Sequence, residues 1–140
     1  MQIMQTKTNE DAIDSPFVFT QHNINNGSYK AVGQSVHIAS NCSTLWNDVQ
    51  LVFKSTSEQK VEITGAGSSK CGSSEIPFVL FGEYYPKLGM GRLTKVHMNI
   101  STENSIIYHL TAVPSKSRKC VAKMKLFNET VDGSLRIFKA

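Results

Sequence analysis

In residues 93–127, ionisable side chains alternate with apolar side chains along three consecutive segments. Because successive side chains leave a strand on opposite faces, this period of two predicts three half-buried strands whose ionisable groups point outward. Ammonium and imidazolium groups on one sheet face can donate charge-assisted hydrogen bonds to an anion. The predicted outward face carries Lys95, His97, His109, Lys123 and Lys125.

The other parity of these segments is apolar and predicts the side of the sheet that packs on the core. It comprises Val96, Met98, Ile100, Ile106, Tyr108, Leu110, Ala112, Cys120, Ala122, Met124 and Leu126. The two links, residues 102–105 and 114–119, are short and polar, as hairpin connections are. The second link extends the predicted basic surface with Lys116, Arg118 and Lys119.

The positive charge of the chain is concentrated in this region. The formal net charge is +4, and residues 86–127 hold eight lysines and arginines against Glu103 alone. Such a surface attracts an anionic partner, such as a sulfated or sialylated glycan or a protein surface, although a solvated face rich in lysine gives the same count. Nucleic acid is disfavoured, because sheets that read single strands expose aromatic rings among the charges and Tyr108 has inward parity.

Segment 82–91 supplies two further candidate ligand contacts. Its three glycines and one proline predict an irregular loop, in which Tyr84 and Tyr85 lie close to Lys87 and Arg92. Tyrosine has an apolar ring and a polar tip, and loops often present such side chains to ligands. The alternative is a long connection between two sheets, with one tyrosine in the core.

No motif predicts an enzyme, a cofactor or a metal. The four histidines are far apart in sequence, and none belongs to a metal-binding pair or lies near a glycine-flanked nucleophile. A hairpin turn near residue 103 would place His97 opposite His109, but no third ligand is predictable, so a plain surface is expected. Glu83 has no second acid to pair with, as glycoside hydrolysis requires.

The three cysteines allow at most one internal disulfide. We predict Cys42 and Cys71 as the pair, because they bracket an apparent hairpin. Closing that loop would stabilise the protein by about 3 kcal/mol, mainly through the unfolded state. Cys120 has inward parity and is predicted to be a small core residue.

The rest of the chain predicts more strands. Residues 17–20, 76–81 and 135–138 are short apolar runs, and 29–39 alternates with Val32, Val36 and Ile38 on the inward parity. Residues 49–63 predict a hairpin, and Trp46 a core residue. Residues 65–74 and Gly133 are predicted to interrupt the strands.

About nine short strands with little or no helix favour an all-β fold, an antiparallel sandwich or barrel, with an immunoglobulin-like β-sandwich preferred. Residues 1–15 form a predicted arm, and 16–140 a single domain.

The signals for the cellular compartment conflict. Residues 1–15 lack the apolar core of a signal peptide, and no stretch is long enough for a membrane span. Four of the nine asparagines, however, lie in glycosylation sequons, at Asn26, Asn41, Asn99 and Asn128. We expect an extracytoplasmic or secreted protein, and a cytoplasmic one stays open.

Three functions are compatible with these patterns. The first is a non-enzymatic adhesion or binding module whose basic face recognises an anionic glycan or protein surface. The all-β plan, the predicted disulfide in the first half and strand-like segments at both termini resemble bacterial fimbrial subunits. This resemblance implies a structural subunit of a fimbria, filament or virion that pairs terminal strands in trans, and so self-associates through edge strands.

A second resemblance involves the end of the predicted sheet. Tyr108, followed by a hairpin and Cys120, is similar to the last hairpin of the secreted lipid-recognition sandwiches related to sterol-transfer and ganglioside-activator proteins. It implies a lipid carrier that holds an apolar ligand near Trp46, Phe78 and Phe81.

Overall fold

Eight antiparallel strands form the fold of the chain, in a computed structural model that describes residues 27–57, 59–98, 105–113 and 120–140. Within these ranges there is no helix. The strands are β1 (Gly27–His37), β2 (Cys42–Ser57), β3 (Lys60–Cys71), β4 (Ser74–Tyr85), β5 (Met90–His97), β6 (Ser105–Val113), β7 (Ala122–Phe127) and β8 (Val131–Lys139). Each strand pairs with the next in sequence, and β8 returns to pair with β1.

The sheet therefore closes into an up-and-down barrel, and the predicted immunoglobulin-like sandwich is wrong. The all-β, antiparallel part of the prediction is confirmed. Closure rests on nine residue pairs between β1 and β8, from Tyr29 with Lys139 to His37 with Val131. A sandwich has two separate sheets and connections that cross from one to the other, whereas here every connection joins two strands that are hydrogen-bonded neighbours in one sheet. The predicted arm and the predicted strand at 17–20 lie outside the described residues.

One apolar core fills most of the barrel. Its largest fully buried side chains include Trp46, Phe53, Phe78, Tyr84 and Tyr108, together with leucines from five strands. The predicted hairpin at 49–63 is confirmed, since Val49, Leu51, Phe53, Val61 and Ile63 all point inward. The inward parities of β6 and β7 are confirmed as well, including buried Cys120. In the described ranges, no helix has the length and apolar character that crossing a membrane requires.

The predicted parity of β1 is wrong. Val32 is 48% exposed and Ile38 59%, whereas Ala31, Gly33 and Ser35 point inward. The reason is the indole of Trp46, which lies opposite Gly33. A Cβ at Gly33 would lie 3.0 Å from Leu135 and 3.4 Å from the Cβ of Trp46. Small residues on the inner face of β1 thus make room for the tryptophan, whose Nε1 donates to Ser35 Oγ at 3.3 Å.

Three segments predicted to be irregular are mostly strand. Residues 65–71 complete β3, Gly133 lies within β8, and segment 82–91 is the end of β4, a turn at 86–89 and the start of β5. Glycine serves close packing of strands here: a Cβ at Gly82 would overlap the backbone oxygen of Arg92. The strand predicted at 76–81 is confirmed within β4; although the run is apolar on both parities, it is covered on one side only, since Phe81 is 50% exposed.

Replacing Gly82 with alanine tests this close approach. We expect Gly82→Ala to lower the free energy of unfolding by about 2–3 kcal/mol, because a methyl group is forced against backbone. Gly72→Ala is the matched control: Gly72 has φ of 64° in an open turn with no atom within 4 Å of its would-be Cβ. Its loss should be about 1 kcal/mol from backbone strain alone. Equal losses in urea denaturation would contradict the packing argument.

Candidate functional site

The strand β5 presents Lys95 and His97 to the barrel interior, opposite to the predicted outward face. The inner face of β5 is Leu93, Lys95 and His97, while Val96 and Met98 lie on the outer side. The register explains the inversion: Gly91 faces inward beside Tyr84, and a period of two then carries every second residue of β5 inside. A lysine placed by sequence on the surface is therefore the most deeply buried cation of the described residues.

Aromatic rings surround the amine of Lys95. The side chain is 2% exposed, and its Nζ lies 4.1 Å from the ring centre of Trp46 and 4.7 Å from that of Phe78. In the described part of the chain, no carboxylate forms an ion pair with this amine. Burial lowers the pKa of Lys95 from 10.5 to about 8, while the two cation–π contacts favour the charged form. The amine is thus mostly charged at neutral pH but easily deprotonated.

His97 lies next to Lys95 on the same inner face. Its Nε2 is 3.2 Å from Ser69 Oγ, and its ring meets Phe78 edge to face at 6.3 Å. Its Nδ1 is buried and has no hydrogen-bond partner among the described residues. Burial, and then the charge of Lys95, lower the pKa of His97 below 6.5. The imidazole is therefore neutral at pH 7 and can donate or accept a hydrogen bond.

A cavity of about 270 Å³ opens above these two residues at one end of the barrel. The turns β1–β2, β3–β4 and β7–β8 lie at this end. We call this cavity the mouth cavity. Its lining includes Lys95 and His97, the polar residues Ser35, His37, Thr44, Ser69 and Ser74, the apolar residues Ile76, Ile106, Tyr108 and Val131, and Cys42 and Cys71.

The two cysteines predicted to pair meet at the rim of the mouth cavity. Their Sγ atoms are 3.5 Å apart, both side chains are exposed, and both are thiols in the structure. The hydrogen bond with Cys71, and then the charge of its thiolate, raise the pKa of Cys42 above its usual value. The sequence thus placed these thiols as neighbours correctly, and the disulfide itself stays a prediction.

The other predicted site residues that the structure describes do not line this cavity. His109 and Lys125 are exposed and Lys123 half-buried on the outer face, where Lys125 Nζ is 3.9 Å from Asp132. His97 is paired with Phe78 and His109 with Arg92, so the two histidines do not face each other. Lys116, Arg118 and Lys119 lie outside the described residues. The predicted basic sheet face is therefore divided between the inside and the outside of the barrel.

The two tyrosines of segment 82–91 lie at the end of β4 and not in a loop. Tyr84 is fully buried in the core, and burial raises its pKa to about 12. Tyr85 is half-buried at the end of β4, on the opposite end of the barrel from the mouth cavity. Over the ranges that the structure describes, no group of three potential metal-ligating side chains converges.

Fold and cavity together define an eight-stranded up-and-down barrel with a polar mouth above an aromatic floor. No protein-family model matches the chain, and neither a curated protein nor a solved structure does. Sequence reasoning missed the contact of Lys95 with Trp46 and Phe78, and the roles of Ser35, Ser69 and Ile76 in the cavity wall. One signal in the sequence could have shown that Lys95 and His97 point inward: Leu93, an apolar residue of the same strand, shares their parity.

The lowered pKa of Lys95 predicts that its contribution to stability rises with pH. Between pH 8 and 10 an unfolded lysine, with a pKa near 10.4, binds more protons than folded Lys95, so the contribution of Lys95 to the free energy of unfolding should increase by about 2 kcal/mol. The raised pKa values of Tyr84 and Cys42 act in the opposite direction, so the quantity to measure is the difference in stability between variant and wild type. By chemical denaturation at several pH values, the difference between wild type and Lys95→Met should grow by this amount, whereas Lys30→Met, on the outer face of β1, should show no such growth. A difference for Lys95→Met that is constant with pH would contradict the burial of the charged amine.

The proximity of the two rim thiols predicts a specific crosslink. Incubation with oxidised glutathione should reduce the count of titratable thiols from three to one and raise the free energy of unfolding by about 3 kcal/mol. Cys42→Ser should show no such gain, and Cys120→Ser should still crosslink. Mixed disulfides with glutathione at both cysteines, with no internal bond, would contradict the geometry.

Proposed function

We propose that the barrel binds a small organic anion in the mouth cavity, with Lys95 as its counter-ion. The observation that carries the proposal is the position of the Lys95 amine, which is buried in the cavity floor against two aromatic rings and has no carboxylate partner among the described residues. A buried charge without an opposite charge is destabilising, and a bound anion would relieve that penalty. An eight-stranded barrel has room for one small ligand.

The electrostatics of the wall favour an anion over a cation. Among the described residues that line the mouth cavity, Lys95 contributes a positive charge and no aspartate or glutamate contributes a negative one. His97 and Ser69 add polar atoms close by, at 3.2 Å from each other. Carboxylate oxygens can therefore accept a charge-assisted hydrogen bond from the amine and a neutral one from a neighbour.

The size and lining of the cavity limit the rest of the ligand. A volume of about 270 Å³ lies just below the usual range of about 300–1,000 Å³ for drug-sized ligands, so the ligand is small. Ile76, Ile106, Tyr108 and Val131 give the wall an apolar portion for a ring or a short hydrocarbon chain. We infer an amphipathic acid with one carboxylate and a compact apolar body.

This proposal keeps parts of two hypotheses from the sequence. The anionic partner remains, but it is a small molecule inside the barrel and not a glycan on a sheet face. An apolar ligand near Trp46 and Phe78 also remains, without Phe81, which lies on the outer surface. For the subunit hypothesis, β8 is hydrogen-bonded to both β1 and β7, and the described strands leave no open edge for pairing in trans.

An extracytoplasmic location is part of the proposal and is supported by the adjacent rim thiols, which suit an oxidising compartment. The two described sequon asparagines differ in how accessible their side-chain amides are to glycosylation. Asn41 is exposed in the β1–β2 turn. The amide of Asn128 is engaged instead: its Nδ2 donates to the Ile107 carbonyl at 3.0 Å, and its Oδ1 accepts from the Val131 amide at 2.8 Å. Attachment of a glycan to Nδ2 would break this arrangement.

The single tryptophan makes binding measurable. Trp46 touches the amine of Lys95, so an anion that pairs with the amine should change the intrinsic fluorescence. We expect benzoate and octanoate to bind at least tenfold more tightly than benzyl alcohol and octanol, because a charge-assisted hydrogen bond contributes about 1.5–3 kcal/mol.

Two variants make the titration specific. Lys95→Met should remove the preference for the acid over the alcohol, and Lys30→Met should leave it unchanged. Equal affinities for acid and alcohol in the wild-type protein would refute Lys95 as the counter-ion. No saturable binding of any of the four probes would refute a small-ligand site of this class.

A further inference from the structure

We propose that Lys95 also captures small aldehydes as a reversible imine inside the mouth cavity. The inference rests on the proposed cavity and adds a covalent activity to it. Among the described residues that line that cavity, Lys95 provides the only primary amine, and this amine lies over the rings of Trp46 and Phe78. A lysine in an apolar pocket is a recognised arrangement for a nucleophilic amine.

The supply of neutral amine supports this reactivity. With a pKa of about 8, about one tenth of Lys95 is neutral at pH 7, whereas an ordinary lysine with a pKa near 10.4 is neutral in about one molecule in 2,500. Only the neutral amine attacks a carbonyl carbon. Lys95 therefore has a large advantage over the exposed lysines at neutral pH.

The reaction balances without an oxidant or a reductant. The Nζ lone pair attacks the carbonyl carbon, a C–N bond forms, and proton transfer gives a carbinolamine. Loss of its hydroxyl group with a proton, as water, breaks the C–O bond and gives the imine. The protonated imine keeps a positive charge at the position of the amine, so its contacts with the two aromatic rings persist.

Other titratable groups line the same cavity. They are His37 on β1, Cys42 on β2, Cys71 on β3, His97 on β5 and Tyr108 on β6. His97 is the nearest to Lys95 along the chain, and its lowered pKa leaves the imidazole neutral at pH 7. It can accept the proton released when the amine adds and return it as water leaves.

Reductive trapping tests the proposal on the intact protein. The protein is incubated with benzaldehyde and sodium cyanoborohydride at pH 7.0, and the labelled lysines are identified by peptide mapping and mass spectrometry. Lys95 should be labelled at least tenfold faster than any other lysine, and octanoate should slow its labelling. Lys95→Arg should remove the fast phase, and Lys30→Arg should keep it.

Labelling spread evenly over the surface lysines would overturn the inference, and mapping of the wild-type protein gives this result even if Lys95→Arg fails to fold. Retention of the fast phase in folded Lys95→Arg would overturn it as well. If carboxylates bind but Lys95 is not trapped, only the imine chemistry is wrong. If neither occurs, the ligand site itself is wrong.

Discussion

Closure of the sheet between β1 and β8 is the constraint on which the rest of this structure depends. Once Tyr29 to His37 pair with β8, each described strand has a neighbour on both sides, and the barrel has one interior. Eight strands leave an interior only wide enough for side chains and one small ligand. Each side chain of a strand then points either into the barrel or out to its surface, and a polar side chain on the inward parity is placed inside with its apolar neighbours. The positions of Lys95 and His97 follow from this restriction.

The buried lysine shows how two opposing effects balance inside such a barrel. Full burial of a lysine can lower its pKa by about 3–5 units, through the loss of hydration of the charged form. Here the pKa falls from 10.5 to about 8. Desolvation is the cause of this decrease, and the ring faces of Trp46 and Phe78, at 4.1 and 4.7 Å from Nζ, act in the opposite direction because they attract the ammonium group. The result is an amine that is mostly charged at pH 7 and also has a substantial neutral fraction, as the proposed anion binding and imine formation respectively require.

The sequence predicted the strands better than it predicted their orientation. Alternation identifies two faces of a strand, but it does not say which face is inside when both carry apolar residues. In β6, Leu110 and Tyr108 alternate with polar residues, and the predicted orientation is confirmed. In β5 and β1 the apolar parity, for example Val96 and Val32, lies on the outer face. There the deciding factors were partners distant in sequence: the bulk of Trp46 opposite β1, and the register with β4 for β5.

Glycine explains why the closed barrel was less expected than a sandwich. Residues 65–71 and 82–91 predicted loops because glycine usually interrupts strands. In the structure, Gly82 and Gly91 instead allow the backbones of β4 and β5 to approach where the sheet curls. A sequence pattern cannot distinguish these two uses, because the difference lies in the curvature of the neighbouring strand.

The up-and-down topology also determines why the candidate site lies at one end of the barrel. In a meander, every second turn is at the same end, so residues at the ends of β1, β3 and β5 and at the starts of β2, β4 and β6 converge there. Cys42, Cys71 and His97 are far apart in sequence, but each is within a few residues of such a turn. Lys95 is two residues deeper along the inner face of β5 than His97. A ligand entering from the mouth would therefore pass the thiols and the imidazole before its polar group reached the amine. The thiols at the rim are therefore separated from the amine along this path, whereas protonation of His97 depends on the charge of Lys95 and so on what the amine binds.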